Sequence, residues 1–120
     1  MTRPISPHLQ VYKPQITSVM SILHRLSGIA NVAGLVLLSL LFIAAPYGEV
    51  YFMRVSNILT SWPGLVVLSL FALSLSYHLC NGIRHLIWDT GRGLTMDSVR
   101  KSAVVVLISA VILTLLILIV

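Results

Sequence analysis

Charge is what this chain has least of. Only 9% of its 120 residues are charged while 58% are hydrophobic, and the mean hydropathy is +1.00. That leaves too little polar surface to coat a soluble globule, so the composition is that of an integral membrane protein. Cysteine is nearly missing too. Cys80 is the only one, which rules out an internal disulfide, and without a C-x-x-C-H run there is no covalent haem attachment. The chain shows no internal repeat and no low-complexity stretch. It has no Arg-rich, Ser-rich transit segment, which favours a bacterial inner membrane, or an already processed chain, over an unprocessed mitochondrial one. The first apolar run lies too far from the amino terminus, and is too long, for a cleaved signal peptide.

Three stretches are long and uncharged enough to cross a bilayer: Leu26–Ala45, Gly64–Ile83 and Ser102–Val120. Each approaches the roughly 20 residues that span a hydrocarbon core as a helix. The expected fold is an all-α, three-helix membrane bundle forming a single domain, with a surface leader over 1–16 and helices over about 17–45, 62–89 and 98–120. Little chain remains for a soluble domain, so any soluble chemistry belongs to another subunit. Pro4, Pro7 and Pro14 oppose a helix in the leader, and Thr17 or Ser18 is a candidate cap for the first helix. Pro46-Tyr47-Gly48 ends that helix. Tyr47, Tyr51, Phe52 and Trp62 give the first connection the aromatic character of a membrane interface. Ser61 and Pro63 start the second helix, Gly91 and Gly93 punctuate the second connection, and Asp97–Lys101 begins the third helix.

The pI of about 10.0 and formal charge of +5 need no nucleic acid. Of the eight Lys and Arg residues, Arg3, Lys13, Arg25, Arg84, Arg92, Arg100 and Lys101 flank one side of the spans, and only Arg54 the other. The positive-inside rule then places the amino terminus inside and the carboxyl terminus outside.

Against this background the polar residues at membrane depth are costly, by ~3 kcal/mol for a charge at the bilayer centre, and call for a reason. On the first span Thr17, Ser21, His24, Gly28 and Asn31 recur at helical spacing. On the second Ser74, His78, Asn81, Gly82 and His85 do the same. Each set shares one helix face, facing a buried polar object or a partner chain. The third span is aliphatic all round, as for a helix surrounded mostly by lipid.

His78 is the deepest histidine. It reads equally well as a hydrogen-bonding residue between helices or as an axial ligand to a b-type haem, with Gly82 letting a flat macrocycle approach. His85, two turns along the same helix, cannot face His78 across one iron, so the opposite ligand belongs to a second membrane subunit. His24 and Arg25 lie nearer the inner surface and suit propionates; Arg25 also reads as a snorkelling charge. Ser21, one turn before Arg25, offers a hydroxyl to a quinone oxygen or to its own backbone. Arg84, His85 and Asp89 read as an interfacial anchor, and Trp88 as an interface residue.

The patterns Arg3-Pro4, Ser21-x-x-His24-Arg25-x-Ser27 and His78-x-x-x-Gly82-Ile83-Arg84-His85-x-x-Trp88-Asp89-x-Gly91 resemble, in order and over the whole chain, the cytochrome b membrane-anchor subunits of succinate dehydrogenase. The resemblance implies an anchor subunit of succinate:quinone oxidoreductase, working with a flavoprotein, an iron–sulfur protein and a second small anchor. It implies His78 as an axial ligand to the iron of one haem b shared with that second anchor. It also implies Ser21 and Arg25 in a ubiquinone pocket, and His24 and Arg25 near the haem propionates. Succinate oxidation would occur in the flavoprotein, leaving this chain without catalytic residues of its own for that step. Two rival readings are the anchor of a fumarate reductase and, from a different class, a small transporter or proton-conducting bundle using His78 as a relay.

Overall fold

The computed structural model describes residues 15–120, and the expectations that rest on the leader, including Arg3-Pro4 and Lys13, lie outside these residues. The described chain is helical: α1 (Ile16–Ala44), α2 (Glu49–Thr60), α3 (Trp62–Asp89) and α4 (Met96–Ile119), with a single 3₁₀ turn at Ala45–Tyr47 between the first two. Helices α1, α3 and α4 are long and apolar enough to cross a membrane, and the chain is a multi-pass membrane protein. In lipid a backbone must satisfy its own hydrogen bonds, which is why uncharged runs of this length can only be helices here.

The helix ends show how the chain is punctuated. α1 begins before Thr17 and Ser18: the first ladder bond runs from Val19 N–H to Gln15 O at 3.0 Å, and Gln15 is the cap without using its side chain. A hydroxyl already inside the first turn cannot serve as the cap, so Thr17 and Ser18 do not play that part. At the start of α3, Ser61 Oγ accepts the Gly64 N–H at 3.4 Å and Pro63 occupies the first turn, where its missing donor costs nothing. Gly64 is required sterically, since a Cβ there would run into the carbonyls of Leu59 and Ile58. Between α3 and α4 the chain reverses through Gly91 and Gly93, with φ of 77° and 71°, a region open to glycine. Thr95 then caps α4 by accepting the Ser98 N–H at 3.3 Å.

Helix α2 occupies most of the first connection. It has no fully buried residue, and it rests Val55, Ser56 and Leu59, each half-buried, against the ends of α1 and α3. The sequence reading contains no helix there. Tyr51, Phe52, Val55, Ile58 and Leu59 share one side of it, opposite Glu49, Asn57 and Thr60, so helical spacing is present in this segment beside its aromatic character.

α3 is the centre of the bundle: α1 and α4 both pack along it and touch each other far less. The core gathers Met20, Tyr77, Ala103, Val106 and Ala110 where the three helices meet, with Cys80 against it. The face α4 gives to α3 is Val99, Ala103, Val106, Ala110 and Thr114, a stripe of small and short side chains that lets the helices approach closely. Elsewhere α1 and α4 diverge, leaving a groove of about 480 Å³ over Leu70, Leu73 and Tyr77 of α3. Most remaining Leu, Ile and Val side chains are exposed on the bundle surface, where lipid solvates them.

Candidate functional site

Two polar clusters lie where α1 meets α3. The first is a stack of imidazoles. His24 of α1 lies over His78 of α3 with ring centroids 4.0 Å apart and planes 8° from parallel. On its other neighbour, His85, it stacks at 5.3 Å and 20°. Helical spacing brings this about, because His78 and His85 are two turns apart on one face and α1 crosses that face at His24. Glycines leave room for the rings. A Cβ at Gly28 would stand 3.2 Å from His78 Cε1, tighter than an ordinary contact, and one at Gly82 would stand 3.9 Å from His24 Cε1.

The hydrogen bonds around His78 fix its tautomer. Its Nδ1 lies 2.9 Å from Ser27 Oγ and 3.1 Å from the carbonyl oxygen of His24. A carbonyl only accepts, and the Ser27 hydroxyl already donates its proton to that same carbonyl at 2.7 Å. Nδ1 must therefore carry the proton, which leaves the lone pair on Nε2. His85 Nδ1 likewise donates to the Asn81 carbonyl at 2.8 Å. Deeper in the seam, Ser74 Oγ lies 3.0 Å from Ser27 O and 2.9 Å from Asn31 Oδ1, which fastens the backbone that holds Ser27. Not every group is satisfied: His24 Nδ1 and Asn81 Nδ2 are buried without a hydrogen-bond partner among the described residues.

The second cluster centres on Arg84, which the sequence reading treats as an interfacial anchor. The structure buries it to 4% exposure. Its Nε donates to Ser102 Oγ at 2.9 Å and its Nη2 to Val99 O at 3.0 Å, both on α4. Nη1 reaches Asn81 Oδ1 at 3.2 Å and the Met20 sulfur of α1 at 3.6 Å. The guanidinium lies 4.1 Å from the Trp88 ring centroid, a cation–π contact, and Trp88 in turn leans on His85 at 5.2 Å. Tyr77 completes the junction by donating to Met20 O at 2.8 Å. Three helices are thus tied through one side chain. A cationic residue six positions past a deep histidine looks in sequence like a snorkelling charge, because the acceptors that bury it come from two other helices.

Of the other candidates, Ser21 is half-buried and Arg25 exposed. They lie one turn apart near the start of α1, on either side of His24 in sequence, and neither is hydrogen-bonded or ion-paired among the described residues. Ser27 and Gly28, which the sequence reading includes only as members of a pattern, both lie against His78, the first by a hydrogen bond and the second by leaving room for the ring. Their spacing of three and four from His24 is the signal that finds them. Among the described residues no group of three His, Cys, Asp or Glu side chains converges to hold a free metal ion.

Residues 1–117 match the family described as the succinate dehydrogenase/fumarate reductase transmembrane subunit. The chain is 40% identical over 114 residues to the succinate dehydrogenase cytochrome b556 subunit of Rickettsia prowazekii, covering 95% of this chain and 89% of the relative. Against the subunit of the same name in Paracoccus denitrificans it is 39% identical over 118 residues, covering 98% and 91%. Against the succinate dehydrogenase cytochrome b560 subunit of Marchantia polymorpha it is 41% identical over 124 residues, covering 97% and 88%.

Proposed function

Because the chain belongs to the succinate dehydrogenase/fumarate reductase transmembrane subunit family, we propose that this membrane anchor gives His78 as one axial ligand to a b-type haem. The observation that carries this is the locked tautomer: with Nδ1–H held by Ser27 Oγ and His24 O, the free lone pair is on Nε2. A hydrogen bond from the far ring nitrogen is how ligating histidines are oriented and made more basic. Gly28 lets the His78 ring lie close against α1, which helps to hold the ring in place. The opposite ligand comes from a second small anchor, since His85 rises from the same helix as His78.

Bound there, haem b supplies a one-electron carrier. The residues of this chain do the rest. Ser27 and the His24 carbonyl hold the Nδ1 proton of His78. His24 and Arg25 address the propionate end. Ser21 and Arg25 form part of the ubiquinone pocket, hydroxyl and guanidinium donating to quinone oxygen, with the charged donor the stronger. Arg92 and Arg100, exposed near the α3–α4 turn, present the basic face on which the iron–sulfur and flavoprotein subunits dock. That face lies on the cytoplasmic side of a bacterial inner membrane. Succinate oxidation belongs to the flavoprotein; the direction is proposed from relatives named as succinate dehydrogenases.

The test is a reduced-minus-oxidised optical spectrum of the purified complex. His78→Leu is expected to abolish the low-spin b-type signature, while His85→Leu keeps it. A low-spin spectrum that survives His78→Leu removes the assignment. For orientation, cysteine-accessibility labelling in a Cys80-free background is expected to reach Tyr47–Thr60 from outside and Gly91–Asp97 from inside; the reverse pattern overturns the proposed face.

A further inference from the structure

Every partner of Arg84 is neutral: Ser102 Oγ, Asn81 Oδ1, Val99 O, the Met20 sulfur and the Trp88 ring. The described residues hold three carboxylates. Asp97 is paired with Lys101 at 2.7 Å, Glu49 sits in the first turn of α2, and Asp89 is exposed; none is ion-paired with Arg84. A guanidinium does not shed its proton in a protein. A full positive charge therefore stands inside the bundle at 4% exposure with no counter-charge. A tie between helices needs donors, which a neutral amide also provides, and the unpaired charge is surplus to that task.

The charge is close to the site. Arg84 follows His78 by six residues on one helix, ~9 Å along the axis. At an effective interior dielectric of ~20, a unit charge at such a range biases a one-electron equilibrium by about tenfold or more. We propose that Arg84 is a positioning residue with an electrostatic role: its fixed charge raises the reduction potential of the iron held at His78. This rests on the assignment of His78 made above. Reduction adds one electron to that iron, and a nearby cation favours the state with the added electron.

The experiment is a mediated redox titration of the whole purified complex, with dithionite as the source of electrons, following the b-type absorbance. Arg84→Gln keeps donors without charge and is expected to lower the midpoint by about tenfold in the reduction equilibrium, about 59 mV for one electron. Arg84→Lys keeps the charge and is expected to stay near the parent value. Ser102→Asp guards against a folding artefact, because it leaves Arg84 in place and sets a carboxylate where Nε now donates. It neutralises the charge and is expected to lower the midpoint as Arg84→Gln does. A parent midpoint in the Ser102→Asp complex overturns the proposal, as does an Arg84→Lys midpoint as low as that of Arg84→Gln. If the parent complex has no b-type spectrum at all, the assignment of His78 fails and this inference with it; a normal spectrum with an immovable midpoint defeats this inference alone.

Discussion

The imidazole stack and the Arg84 junction are both polar, both at membrane depth and less than two turns apart on α3, yet they leave different groups unpaired. Around Arg84 the guanidinium spreads its donors over neutral acceptors on α3, α4 and α1. Around the histidines the hydrogen bonding is left open: His24 Nδ1 has no partner among the described residues, and the lone pair of His78 is turned over to Nε2. A network whose members are mostly paired rigidifies a bundle, whereas an open one is costly unless something else completes it; the junction leaves Asn81 Nδ2 without a partner among the described residues. In this molecule the difference separates the residues that hold the helices from those offered to a ligand.

The largest test of that contrast is Arg84→Met. Removing the guanidinium strands Asn81 Oδ1, while Ser102 Oγ keeps its bond to Val99 O, and is expected to cost about 2 kcal/mol, read as a loss of thermal stability and of assembled complex in detergent. A variant as stable as the parent would show that the junction is not what holds α1 and α4 to α3. Next come Ser21→Ala and Arg25→Leu, both outside the junction. Each is expected to assemble normally and retain succinate oxidation with a dye accepting electrons upstream of the membrane, while turnover with ubiquinone falls about tenfold. Matched losses with both acceptors would mean that these residues support assembly instead.

Ser27→Ala is smaller and more pointed. It removes one of the two acceptors of the His78 Nδ1 proton, at a cost of about 1 kcal/mol, while the His24 carbonyl remains. Haem retention during dilution should drop severalfold with the fold intact; full retention would disconnect Ser27 from the site. The finest comparison sets Gly28→Ala against Gly82→Ala. The first places a Cβ 3.2 Å from His78 Cε1 and the second only 3.9 Å from His24 Cε1. A shift in the b-type band is expected for Gly28→Ala and none for Gly82→Ala. At the bottom of the scale, Lys101→Ala breaks the exposed pair with Asp97 and is expected to leave stability unchanged.

The three spanning helices were readable in the sequence because length and lack of charge suffice to identify a span in lipid. The packed face of α4 was not. In water an apolar stripe marks the buried side, but here lipid and protein are equally apolar, so hydropathy loses its period. Side-chain size retains it, in the buried Ala103 and Ala110. Helix α2 is different: Tyr51, Phe52, Val55, Ile58 and Leu59 share one side of it, but the segment is short and its aromatics read first as a membrane interface. Within the candidate site, spacing along each helix predicted that Ser74, His78 and His85 share a face. It did not predict that Arg84 turns the other way, toward α4, because that depends on Val99 and Ser102 being there to receive it.

Taken mechanically, the bundle is a tripod pinned near one end. Its legs are joined at Arg84, Tyr77 and Met20, while α1 and α4 part over the groove that starts at Tyr77 and Ser27 and continues over Leu73 and Leu70 toward the other end. Bilayer thinning, or a neighbour pressing on the far ends, acts there through its longest lever and at the pin through almost none. His24 and His78 sit between the pin and the groove, so a splaying of the legs reaches their spacing with a short lever only.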